Sequence, residues 1–145
     1  MYNKLTCMNN LTFSIIKPTA FRDGNSGKIL TMILDAGFRI IAMKLTHITQ
    51  QEASLFYNIH QDKVFFKSLT EYMSSGPVIV MILEKENAVE DFRQLIGSTD
   101  PEKAAEGSIR KLFGKSISYN AVHGSDIDEN AVLESDFFFS KTERF

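Results

Sequence analysis

Short runs dense in β-branched and aromatic residues alternate along the chain with stretches whose apolar positions recur every three or four residues. The run LTFSIIK (11–17) is rich in strand formers, alternates imperfectly and stops at Pro18, which predicts a strand buried on both faces. FRDGNSG reads as a polar turn. In GKILTMILDAG, Ile29, Leu30, Ile33 and Leu34 share one stripe and Gly37 supplies a stop, so an amphipathic helix follows. FRIIAMKLTHI then sets Ile41, Met43 and Leu45 against Ala42, Lys44 and Thr46, the period-2 alternation of a second strand.

Thr49 with Glu52 makes a capping box for a helix running toward His60. FFKSLTEYM predicts another helix, Gly76-Pro77 a break, and VIVMILE a third strand. Asn87 with Glu90 reads as a second capping box, for a helix lined by Val89, Phe92, Leu95 and Ile96 and closed by Gly97. STDPEKAAEG is turn-rich and SIRKLFG is a short helix ending at Gly114. SISYNAVH predicts a fourth strand, and Asp126 with Glu129 a capping box for a helix over 127–134. The resulting order is β-α-β-β-α-β with extra helices. It predicts an α+β, ferredoxin-like fold, a four-stranded antiparallel sheet covered by helices.

Composition narrows the class. With 145 residues, 43% of them hydrophobic, one domain over 11–145 is expected, preceded by a poorly assigned extension over 1–10. A net charge of −2 and a pI near 5.9 lack the basic footprint of a dedicated nucleic-acid binder. The single cysteine, Cys7, excludes an intramolecular disulfide framework and a Cys-based zinc site. The longest apolar run, PVIVMIL, is far short of the roughly 20 residues that span a bilayer. Residues 1–10 are polar, without an apolar signal core or an Arg-rich transit pattern, so a cytoplasmic protein with no membrane partner is expected; Met8 is a candidate start beside Met1.

Candidate chemistry centres on His123, which precedes the helix start signalled by Asp126. Unpaired N–H groups and the positive dipole end gather at such a start and would stabilise a phosphoryl group there. Gly124 and Ser125 leave the ring accessible, and Glu134 lies on the same helix, where its carboxylate could orient the ring. On spacing alone, a solvated loop histidine and a nucleophile both stand. Lys17, Arg93 and Arg110 add cations, which triphosphate chemistry needs from several directions; taken singly, each reads as a surface charge. Phe65 and Phe66 read as core, and His47 and His60, with no carboxylate or cysteine at metal-ligand spacing, as structural. Neither a G-x(4)-G-K-[ST] loop nor a kinase Gly-rich loop with an HRD partner is present. A phosphotransferase of this sequence would work through a nucleophile.

Assembled, these segments resemble the nucleoside diphosphate kinase family. NAVHGSD is similar to the signature around its phosphorylated histidine, TFSIIKP to its first-strand IIKP segment, SSGPVIVMILE to its SGPV segment, and LIGSTDPEKAAEGSIR to its LxGxTxPxxAxxGTIR stretch. The resemblance runs from about Leu11 to at least Glu134 with the motifs in order. It implies ping-pong transfer of the γ-phosphate of a nucleoside triphosphate, typically ATP, to a nucleoside diphosphate through a phosphohistidine at His123, maintaining NTP and dNTP pools. It further implies that Lys17 binds phosphate near the transferred group with Tyr57 beside it, that Arg93, Thr99 and Arg110 hold the β- and γ-phosphates, and that Asn120 contacts the ribose hydroxyl and phosphates. Phe65 would stack on the base with Ile117 opposite, and Ser125 and Glu134 would support His123. Mg²⁺ would ride on the nucleotide phosphates, with no protein metal ligand, and a homo-oligomer, tetramer or hexamer, is implied.

Four positions depart from the family pattern: Thr19 for the aspartate of IKPDA, Val64 within DKVFF for the proline of RPFF, Ser118 for a glycine, and Ile127 for the serine after HGSD. They bear on loop geometry and rate. Two other classes are weighed against this reading. A non-catalytic ferredoxin-like binding module would not need His123 together with Lys17, Arg93 and Arg110. A nucleic-acid binder on the same topology would need RNP aromatics and a basic surface. Some of the phenylalanines of the tail, FFFSKTERF, are expected to pack at a subunit contact.

Overall fold

Pro18 ends the first apolar run by setting the first helical position after it, so β1 (Leu11–Ile16) turns directly into a short helix, α1 (Pro18–Arg22), with Lys17 as its N-cap residue. The computed structural model describes residues 10–145, so the expectations on Cys7 and Met8 lie outside the described residues. Next come α2 (Ser26–Asp35), β2 (Arg39–Thr46), α3 (Gln50–Phe56), a 3-10 turn (Asn58–His60) and α4 (Phe66–Met73). They are followed by β3 (Val78–Glu84), α5 (Ala88–Ile96), α6 (Ile109–Phe113), β4 (Val122–Gly124), α7 (Asp128–Phe138) and a final 3-10 turn (Lys141–Glu143).

The strands form one antiparallel sheet in the order β2-β3-β1-β4, the expected ferredoxin-like arrangement. Both faces are covered. Phe13, Ile15, Val80 and Ile82 pack under α3, α4 and the C-terminal segment, while Ile16, Met81, Leu83 and Val122 pack under α2 and α5. Burial on both faces is why β1 and β3 read as near-continuous apolar runs.

Several expectations are corrected by tertiary contacts. In β2 a register shift between Ile40 and Ala42 puts Ile41 and Ala42 both in the core, and beyond it Met43 and Leu45 are 49% and 60% exposed. One extra residue inverts the side-chain phase of everything after it. The Thr49–Glu52 capping box is present, but Asn87 is left-handed at φ 56° and its amide reaches the Glu90 side chain instead of a backbone N–H. Asp126 likewise is not a helix cap: Ile127 takes that position, and the Asp126 carboxylate accepts from Ile127 N and Asn130 Nδ2. The last helix therefore runs over Asp128–Phe138 rather than 127–134. Of SISYNAVH only the end is strand.

Two phenylalanines of the tail turn inward, while Phe137 and Phe145 stay exposed. Phe138 stacks on Phe13 with ring centroids 5.4 Å apart and packs, partly buried, against the cluster in which Phe139 is buried. The chain end then lies along β2, where Phe145 N donates to Ile41 O at 2.7 Å, Arg39 donates to Phe145 O, and Lys44 pairs with Glu143.

Candidate active site

His123 is carried on β4, paired with Ile15 of β1, and its carbonyl accepts from Ser14 Oγ at 2.8 Å. The chain reaches β4 through a tight kink. Val122 N donates to Asn120 O at 2.9 Å around Ala121, whose φ is +74°. This is the strained, positive-φ form of the γ-turn, held here because Ala121 is buried and its carbonyl accepts from Lys17 N. The kink aims the Asn120 side chain back at the end of β1.

Lys17, 6% exposed, donates from Nζ to Asn120 Oδ1 at 2.7 Å, and Asn120 Nδ2 donates to Thr99 O at 3.2 Å. Arg110, on α6, donates from Nη1 to Gly97 O and from Nη2 to Val122 O. Burial, reinforced by the nearby Arg110 charge, pulls the Lys17 ammonium down to about 7. Burial, then the Arg93 charge, brings Arg110 down to about 10. Among the described residues none of Lys17, Arg93 and Arg110 forms an ion pair with a carboxylate. The buried Arg110 Nε and Tyr57 OH also lack hydrogen-bond partners. Burial, with Glu134 as the next contribution, raises the Tyr57 pKa, so its hydroxyl stays protonated.

Glu134 comes over from α7. One carboxylate oxygen accepts from His123 Nε2 and, at 3.2 Å, from Ser125 Oγ. Ser125, fully buried, also accepts from Phe13 N at 3.1 Å. The His123 ring is edged by Phe13, Phe56 and Tyr57 at centroid distances of 6.1, 5.5 and 6.0 Å.

These groups face a cavity of about 940 Å³. Lys17, Tyr57, Arg110 and Asn120, buried or half-buried, line it together with His123 and Glu134, and the exposed Arg93 and Thr99 line it as well. Phe65 and Ile117, both exposed, stand at its rim, and Ser125 lies behind Glu134 instead of lining the space. Phe65 is therefore not core, whereas Phe66 packs against the core as expected. His60, expected to be structural, also lines the cavity, beside Phe65. Nothing in its local sequence signals this; the 3-10 turn after α3 brings it there. His47 does act structurally, bonding through Nε2 to Ser74 O. Of the departing positions, Thr19 hydrogen-bonds the Tyr72 hydroxyl, whose ring abuts Tyr119 at 4.5 Å, and Val64 is fully exposed. Among the described residues no group of three or more His, Cys, Asp or Glu is arranged to hold a metal ion, and no helix is long and apolar enough to cross a membrane.

The same architecture occurs in solved structures. The Aquifex aeolicus nucleoside diphosphate kinase superposes with a TM-score of 0.91 at 43% identity, covering 93% of this chain and 98% of that one. A Halobacterium salinarum nucleoside diphosphate kinase solved in complex with CDP gives 0.90 at 34% identity, covering 94% and 91%. The nucleoside diphosphate kinase of Flavobacterium psychrophilum is 52% identical over 136 residues, 94% of this chain and 98% of that protein. That of Chlorobaculum tepidum is 53% identical over 132 residues, 91% and 94%. The family model described as nucleoside diphosphate kinase matches residues 10–144. With motifs, topology and relatives agreeing along nearly its whole length, the chain belongs to the nucleoside diphosphate kinase family.

Proposed function

We propose that this phosphotransferase works through His123 as a phosphoryl carrier, in two half-reactions at one site. The observation that carries the reading is the hydrogen bond from His123 Nε2 to Glu134 on the wall of a cavity rich in unpaired cations. With its proton on Nε2 and held by Glu134, the imidazole keeps its lone pair on Nδ1. Nδ1 attacks the γ-phosphorus, the bond from that phosphorus to the β,γ-bridging oxygen breaks, and the nucleoside diphosphate leaves. A second nucleoside diphosphate then attacks the phosphohistidine with its terminal phosphate oxygen, and the electron pair returns to Nδ1. Glu134 and Ser125 orient the ring in both directions.

Lys17, with Tyr57 beside it, meets the transferred phosphoryl group; Arg93, Thr99 and Arg110 hold the β- and γ-phosphates, and Asn120 the ribose hydroxyl and phosphates. The Tyr57 hydroxyl and Arg110 Nε, buried, without partners and on residues that line the cavity, support this, since a phosphate oxygen would satisfy them. Mg²⁺, if carried in by the nucleotide, would supply charge neutralisation at the phosphates, while Lys17, Arg93 and Arg110 meet them from the protein side. Phe65 and Ile117 sandwich the base at the rim. Stacking without base-edge readout permits purines and pyrimidines, ribo- and deoxyribonucleotides alike, so the enzyme would balance NTP and dNTP pools in the cytoplasm. A homo-oligomer, tetramer or hexamer, is part of the reading, supported by Met43 and Leu45 exposed on the edge strand.

The test is incubation with γ-labelled ATP and Mg²⁺ without acceptor. An acid-labile, alkali-stable phosphoprotein discharged by a nucleoside diphosphate, and absent from His123→Ala, is expected. Folded protein that takes no label would overturn the reading in favour of a nucleotide-binding module without covalent chemistry.

A further inference from the structure

The Phe65 ring is half-exposed at the cavity. The residue follows Val64, which is fully exposed and touches nothing that would restrain it, and precedes the first turn of α4. A proline at position 64, which the resemblance leads one to expect, would fix one backbone dihedral just before the ring; valine does not. A base that stacks on a half-exposed ring fixes it in one orientation, and ordering a side chain carries a cost. The cost falls on binding.

The His60 ring lies against Phe65 with centroids 5.6 Å apart and planes tilted by 56°. His60 is itself positioned by backbone: its N–H donates to Tyr57 O at 2.9 Å, and its carbonyl accepts from Lys63 N at 2.8 Å, closing the turn that leads to Phe65. Among the described residues no hydrogen bond engages its ring nitrogens, and its ring packs on Phe65. Both rings line the cavity.

We propose that His60 is a positioning residue for the nucleotide base, acting through Phe65. Its ring backs Phe65 into the orientation that stacks on the base and replaces the restraint a proline would have supplied. The proposal rests on the reading of Phe65 as the base shelf. It assigns His60 no contact with the phosphates and no part in proton transfer.

The experiment compares His60→Ala, His60→Phe, Phe65→Ala and the double variant in steady-state assays with ATP and a nucleoside diphosphate. Aromatic pairs of this kind are worth enough to change affinity about two- to tenfold. His60→Ala should raise KM by that factor and leave kcat within about twofold, because the lost interaction acts on binding alone. His60→Phe should restore KM. In the Phe65→Ala background, removing His60 should cost nothing more, and inhibition by inorganic tripolyphosphate, which has no base, should be the same in every variant. If Phe65→Ala raises KM and His60→Ala does not, the positioning role is wrong and the base shelf stands. If Phe65→Ala itself leaves KM unchanged, the base shelf falls and the role of His60 with it. A weaker grip on tripolyphosphate in His60→Ala would show a disturbed cavity and overturn the proposal equally.

Discussion

Lys17 Nζ and Asn120 Oδ1 meet at 2.7 Å although 103 positions separate them in the chain. The contact ties the end of β1 to the γ-turn that launches β4, and so fixes a buried amine next to the strand bearing His123. An amide oxygen is a neutral partner. It satisfies one N–H of the amine without stabilising the ammonium as a carboxylate would.

Nucleotide binding should therefore take up a proton at mildly alkaline pH. Burial, then Arg110, holds Lys17 at about 7 in the free protein, and an incoming phosphate favours the charged form. Calorimetric titration near pH 8 in buffers of different ionisation heat should show uptake approaching about one proton, lost in Lys17→Met. Heats independent of buffer would contradict it. The same shift makes the Lys17 contribution to stability of the nucleotide-free protein grow with pH between about 7 and 10.5, since there the unfolded chain binds more protons than the folded one.

Glu134→Ala should lower kcat about ten- to a hundredfold, the range for outer partners that orient an imidazole, with the melting temperature little changed. The Glu134 carboxylate accepts from both His123 Nε2 and Ser125 Oγ; without it the ring loses its fixed tautomer and orientation. Single-turnover phosphorylation of the enzyme measures this step. An undiminished rate would remove Glu134 from the mechanism.

Arg110→Ala should reduce kcat/KM roughly a hundred- to a thousandfold, as does loss of one donor aimed at developing transition-state charge. It also strands the Gly97 and Val122 carbonyls that the guanidinium now holds, so a stability loss of about 1–3 kcal/mol should accompany it. Arg110→Lys, which keeps charge without the fork, should fall between the two. If kcat/KM is unchanged in the alanine variant, Arg110 does not touch substrate.

Gly97→Ala should destabilise by about 1–3 kcal/mol, read as a lower denaturant midpoint at unchanged slope. Its φ of +86° disfavours a side chain, and an added Cβ would sit 2.5 Å from Ser108 Oγ. Ser108 caps α6, the helix that carries Arg110, so activity should fall further than stability alone explains. Equal midpoints for the two proteins would refute the strain.

What was legible beforehand, and what was not, divides by range. VIVMILE matches β3 from Val78 to Glu84 because breakers bound a run buried on both faces. The Thr49–Glu52 box forms because both partners lie within one turn of chain. The same pattern at Asn87 and at Asp126 does not cap, since the local backbone there is bent to other ends. His123 stood as a candidate from its place before a helix start, but spacing alone left a solvated loop histidine equally open; the family motifs around it decided for the nucleophile.

By itself the sequence determined the element order, the αβ class and the family, because burial periodicity, breakers and contiguous motifs are properties of single segments. Tertiary structure alone decided that a bulge would turn Met43 and Leu45 outward, that Phe139 would enter the core with Phe138 packed against it, and that Asn120 Oδ1 would be the neutral partner of a buried Lys17 amine. It also decided that His60 would stand against Phe65. The physical reason is common to all of these. Each depends on which strand or helix lies opposite, and that energy belongs to pairs of residues far apart in the chain.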